Sequence, residues 1–244
     1  MATLTQRTSQ DIQSRATQLP VQVTRTQAMA SKMWAPFIAM GFMIVMAAFV
    51  YGLVNSSISA DYFQFSKETR EAAVAGSDLA TQKAFIESTK AWLPAFKLLG
   101  MGMILGGVTF LLATILGALR TGGGRVQEAL GVPVTIIKAP MTAKVFPMLM
   151  MMGMMVLMAV LVIAIVVANI SYGYWNHSIA TELNPAIEGS QLLGSLSTIN
   201  TVNAWLAPFK FVGMAFLLTG IGLALATIIR VLRWQSQRLW DILT

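Results

Sequence analysis

The chain has 244 residues, of which 56% are hydrophobic and only 11% charged, with a formal net charge of +7. Soluble domains carry about a quarter charged residues, so this is the composition of an integral membrane protein. The chain has no cysteine and a single histidine, His177. It therefore cannot form disulfides, thiolate centres, bis-histidine haem or a Ser-His-Asp triad, and no cofactor or catalytic role is expected of it.

The first residues, MATLTQRTSQDIQSRATQLPVQVTRTQ, are rich in Ser, Thr, Gln and Arg and poor in acids. The composition resembles an organellar transit peptide. A polar arm over residues 1–32 with no apolar face is expected to be disordered alone, so order within it would imply a partner that holds it.

Four segments then reach the roughly 20 apolar residues that a hydrocarbon core requires. They are Met33–Val54, Leu98–Leu119, Val145–Trp175 and Phe211–Ile229, each free of formal charge. The third would extend about 46 Å as a helix and must tilt or project. The reading is an all-α membrane protein with four transmembrane helices.

The stretch AWLPAFKLLGM beginning at Ala91 returns as AWLAPFKFVGM beginning at Ala204. Without a gap, Ala91–Arg120 and Ala204–Arg233 pair Trp92 with Trp205, Phe96 with Phe209, Lys97 with Lys210, Gly100 with Gly213 and Arg120 with Arg233. YGLVNSSI at Tyr51 and YGYWNHSI at Tyr172 share Tyr, Gly, Asn, Ser and Ile. The pattern is two tandem hairpin repeats of the same orientation, residues 33–120 and 145–233. A connection, 121–144, and a tail, 234–244, complete the chain, and loops 55–90 and 176–203 lie on the outer side. A pseudo-two-fold axis along the membrane normal follows.

Orientation comes from Lys and Arg. One side has Arg7, Arg15, Arg25, Lys32, Arg120, Arg125, Lys138, Lys144, Arg230, Arg233 and Arg238 against only Asp11, Glu128 and Asp241. On the other side Lys67, Arg70, Lys83 and Lys90 are offset by acids, and the second loop has no Lys or Arg. Both termini are expected in the cytoplasm, with a bacterial inner membrane favoured over an organellar one. Anionic lipid rather than nucleic acid accounts for the basic balance.

The repeated motifs gather at the outer surface. Trp92 and Trp205 suit the interface, Pro94 and Pro208 a first helical turn, and Lys97 and Lys210 can snorkel outward. Gly102 and Gly106 match the spacing for close helix approach. Lys97, Lys210, Asn55, Asn176 and His177, with Trp92 and Trp205, are the candidate contacts to phospholipid or a partner subunit. Asn55 and Asn176 also begin glycosylation sequons, but their positions beside helix ends fit capping better.

RTGGGRVQEALG at Arg120 lacks a phosphate-loop pattern and reads as a flexible turn. Val126–Leu130 could add one amphipathic turn, and GVPVTIIKAP an extended segment. In the first outer loop, Leu79, Ile86 and Leu93, started by Ser77-Asp78, predict an amphipathic helix running into the second span.

The third span carries Met148, Met150, Met151, Met152, Met154, Met155 and Met158. Thioethers suit Cu(I), but methionine is first an adaptable packing residue. The leading expectation is a non-catalytic accessory or scaffold subunit of a larger membrane complex. The alternative is a small-solute or metal-ion transporter or channel, which needs a polar path that only Thr109, Thr114, Thr219, Thr227 and Asn169 could line. No metal site is expected.

Overall fold

A computed structural model describes residues 21–129, 131, 141–177 and 190–243. These form five helices: α1 (Val21–Phe63), α2 (Lys67–Glu71), α3 (Asp78–Ala129), α4 (Thr142–Trp175) and α5 (Gln191–Leu243). Among the described residues there is no strand. The long helices α1, α3, α4 and α5 are each apolar and long enough to cross a membrane. A helix satisfies its own backbone donors and acceptors, which hydrocarbon cannot do. The protein is an integral membrane protein.

The helices outrun the apolar segments that nucleate them. α3 has 52 residues and α5 has 53, about 80 Å each against a hydrocarbon core of about 30 Å. α1 begins at Val21, inside the polar arm, and residues 1–20 lie outside the described part. The amphipathic helix expected at Ser77 forms and continues into the span. The Ser77 hydroxyl accepts from the Ala80 amide at 3.4 Å, and Asp78 sits in the first turn, both favourable at a positive helix end. Ser190 caps α5 in the same way, accepting from the Leu193 amide at 3.3 Å. Pro94 and Pro208 therefore lie in helix interiors rather than in first turns, because the caps sit well upstream of them.

The triple glycine is likewise not a turn. Residues Gly122–Gly124 continue α3 to Ala129. The physical reason is a neighbour that uses the missing side chains. The Gln235 Nε2 donates to the Leu119 carbonyl at 2.6 Å, and its side chain occupies the space a Cβ on Gly123 would need. The extended segment expected after Ala129 lies outside the described residues.

The described residues fall into two compact units. One joins the chain up to Ile38 with Leu105–Met151 and the part from Leu217 onward. Its core is Leu116, Phe146, Ala224, Ile228 and Val231. The Thr227 and Thr142 hydroxyls meet there at 2.8 Å. The hydroxyls of Thr109, Thr114 and Thr227 donate to the carbonyls of Leu105, Phe110 and Leu223, four residues back on their own helices. The second unit joins Ala39–Ile104 with Met152–Phe216. Its clusters are Ala95, Val160, Ala164 and Leu206, and Ala91, Val167, Ala168, Tyr174 and Ile199.

In each unit glycines set the helix separation. A Cβ on Gly41 would stand 2.7 Å from the Gly100 carbonyl oxygen and 2.8 Å from the Ile104 nitrogen. One on Gly107 would meet the Trp34 carbonyl at 2.9 Å. α1 and α3 thus pack backbone to backbone. α5 approaches α4 at Gly213, whose Cβ would lie 2.9 Å from Leu157 and 3.2 Å from the Gly153 carbonyl, and at Gly220, 3.3 Å from the Phe146 carbonyl. These glycines meet the backbone of the neighbouring helix, whereas Gly106, from the expected GxxxG match, meets only side-chain ends at 3.4 Å or more.

Gly41→Ala forces backbone to move and is expected to destabilise by about 1–3 kcal/mol, as overpacking does. At the exposed Gly222, where a Cβ meets nothing within 4 Å, alanine should leave stability unchanged or raise it by up to about 1 kcal/mol. Thermal unfolding in detergent compares the two. Equal losses at both positions would refute the role of close approach.

Candidate functional site

The repeated tryptophans occupy unequal surroundings. The Trp92 ring centre lies 5.0 Å from Tyr51 and 5.5 Å from Phe96, with the ring packed against the core. Trp205 is 44% exposed and contacts Phe209 at 5.9 Å. Their companion lysines differ too: Lys97 is exposed and Lys210 half-buried.

Asn176 acts as a latch. Its backbone carbonyl accepts from the Gly76 amide at 3.2 Å, and its Oδ1 accepts from the Thr81 hydroxyl at 3.4 Å. The end of α4 is thereby tied to the turn that enters α3. Gly76, at φ +76°, supplies the left-handed backbone which that turn requires. Asn55, which occupies the matching place in the YGLVNSSI stretch, lies inside α1 rather than at a helix end, so it caps nothing. Its carbonyl accepts the Ser59 hydroxyl at 2.7 Å, while its enclosed Oδ1 has no hydrogen-bond partner among the described residues. His177 donates from Nδ1 to the Gly173 carbonyl at 2.6 Å and borders a cleft of about 300 Å³ with Tyr174, Gln191 and Ser195. Among the described residues no hydrogen bond or ion pair joins Lys97, Lys210, Asn55, Asn176 and His177 to one another.

A different constellation collects charge. Tyr62 and Phe63 at the end of α1, Lys67, Arg70 and Glu71 of α2, and Lys83, Ile86 and Glu87 of α3 line one cleft of about 280 Å³. α2 is only five residues long, but Ser66 caps it by accepting from the Thr69 amide at 3.2 Å. The Arg70 guanidinium carbon stands 5.2 Å from the Tyr62 ring centre and 4.9 Å from that of Phe63. Lys83 Nζ lies 3.8 Å over the Trp175 ring. Lys67 pairs with Glu71 at 3.6 Å, and Lys90 with Glu87 at 2.7 Å. The Glu68 carboxyl is held below its ordinary range, chiefly by a backbone amide and then by the Ser66 hydroxyl. Sequence reasoning used Lys67, Arg70 and Lys83 only to orient the chain. The adjacent aromatic pair Tyr62-Phe63 was the signal that the cations have a surface to rest on.

The methionines of α4 do not converge. Met148, Met151, Met152, Met155 and Met158 are exposed and Met150 is buried. Among the described residues no three His, Cys, Asp or Glu side chains are placed to hold a metal ion.

No protein-family model matches the chain, and neither does any curated protein or solved structure.

Asn176→Ala removes the Thr81 contact while leaving its backbone bond, and should cost about 1 kcal/mol. Hydrogen exchange at the amides of Gly76 and Thr81 should accelerate, with exchange in the core of α5 unchanged. Unaltered exchange at Gly76 would show that the latch carries no load.

Proposed function

We propose that the chain is a non-catalytic accessory or scaffold subunit of a larger membrane protein complex, stabilising it through helix packing and phospholipid contacts. The observation that carries this reading is apolar surface beyond the end of the first apolar span, Met33–Val54. Phe63 is 61% exposed, Phe65 47% and Val74 70%. Large side chains that water would have to cover mark a surface another protein covers. α1 is also the least covered span, with 11% of its most apolar part buried against 33–39% in the other three, which leaves a face that lipid or a partner helix can cover. Its free face carries Met40, Phe42, Met43, Met46 and Phe49. Methionine adapts to whatever packs on it, which suits a subunit surface.

The proposed arrangement is two tandem hairpins of like orientation, with both termini in the cytoplasm and the bacterial inner membrane as the site. Equivalent contacts support the repeat. Gly100 and Gly107 correspond to Gly213 and Gly220 in the duplicated stretch; the first pair meets Gly41 and Trp34 of α1 and the second Gly153 and Phe146 of α4, in a register nine residues away from the one that matches Tyr51 with Tyr172. The distribution of Lys and Arg supports the orientation. Lys97 and Lys210 are assigned to the outer leaflet, reaching anionic headgroups or a partner's carboxylates.

Mild detergent extraction from native membranes, followed by sizing and mass spectrometry, should recover the chain in an assembly well above 26.4 kDa. Recovery solely as a monomer across several detergents would sink the proposal. Lys97→Met with Lys210→Met should preserve insertion but reduce co-purified partner or lipid. An unchanged complement would leave both lysines as interfacial anchors alone.

A further inference from the structure

We propose that the cleft between the end of α1, α2 and the start of α3 binds a phosphate ester. The argument begins with charge. Of the five ionised side chains that line it, Lys67, Arg70 and Lys83 are cations and Glu71 and Glu87 anions. Both carboxylates are already engaged, Glu71 by Lys67 and Glu87 by Lys90, which stands just outside the lining. The lining as a whole carries a formal excess of one positive charge.

The Arg70 guanidinium is held in place before any ligand arrives. Rings of Tyr62 and Phe63 support it, and Tyr62 is itself buried. Its Nε is enclosed and has no hydrogen-bond partner among the described residues. Because the Nε is enclosed, any contact to an anion in the cleft falls to the terminal N–H groups of the guanidinium. A planar guanidinium with oriented N–H groups matches the oxygens of a phosphate, and Lys67 and Lys83 add point charges at the same mouth.

Size and lining narrow the ligand class. About 280 Å³ accommodates a headgroup-sized molecule and not a helix or an extended peptide. Ile86, Tyr62 and Phe63 give the cleft an apolar wall beside its cations, fitting the carbon skeleton of an ester better than a bare ion. The ligand chemistry is shared by a phospholipid headgroup and by a soluble organic phosphate. This site is separate from Lys97 and Lys210, and it does not depend on the scaffold reading.

The test uses the full chain in maltoside micelles, which contain no other phosphate ester. In one arm, native mass spectrometry counts phosphatidylglycerol retained when that lipid is mixed in. In the other, calorimetry follows glycerol phosphate and inorganic phosphate titrated from solution. The wild type should bind in at least one arm, and the arm identifies the source. Arg70→Gln with Lys83→Gln should weaken that binding about tenfold or more. Lys67→Gln, at an exposed position where it removes one cation and releases Glu71, should weaken it by a smaller factor. Only the phosphatidylglycerol lost on replacing Arg70 and Lys83 is counted for this site, because Lys97 and Lys210 also reach anionic headgroups. Two results overturn the proposal: a wild type that neither retains phosphatidylglycerol nor binds either phosphate, or binding that Lys67→Gln and the double variant leave intact.

Discussion

Close backbone contact between helices is the constraint on which the remaining architecture depends. Inside a bilayer the hydrophobic effect does not press helices together, since lipid tails are as apolar as leucine. What remains is van der Waals contact, which falls off steeply with separation. At Gly41 and Gly100, and again at Gly213 beside Gly153, the absence of a Cβ lets one helix backbone reach the other. Any larger residue there would replace a contact with a clash. The bulky partners, Leu157 and Ile104 among them, then seat against the glycines instead of holding the helices apart.

Once the pairs are fixed at the glycines, the ends of the helices inherit their neighbours. Gln235 can cross to the Leu119 carbonyl only because Gly123 leaves room, so a motif with every local mark of a turn persists as helix. At the other end of α3, Asn176 ties its entry turn to α4, and Tyr51 stacks on Phe85 at 5.8 Å. Those anchors hold Lys83 and Ile86 in the charged cleft that the two aromatics ending α1 also line. Within the second unit the packed helices thus position short, charged elements at their ends.

Much of this was readable from residues alone, and the reason is the bilayer. Hydrocarbon demands long apolar helices, so the four spans and the amphipathic lead-in from Ser77 stand out in the sequence. Helix ends were less legible, because capping by Ser77 and Ser190 and support from a neighbouring helix act outside the apolar windows. The triple glycine misled since local propensity knows nothing of Gln235. Pairing of Lys97 with Lys210 was visible as a repeat, but their unequal exposure depends on packing around each. The cleft was invisible for a similar reason: Tyr62, Arg70 and Lys83 belong to three elements, and only the fold brings them together.

Because the chain contains no cysteine, engineered pairs report helix proximity without background. Thr142→Cys with Thr227→Cys, replacing hydroxyls 2.8 Å apart, places one thiol on α4 and one on α5. Oxidation in native membranes should give an intramolecular disulfide, seen as faster migration on a non-reducing gel. Adding Gly220→Leu, whose side chain would press on the Phe146 carbonyl, should separate the helices and suppress that disulfide. Cross-linking that proceeds equally well with leucine at this position would contradict glycine contact as the determinant of the α4–α5 pair.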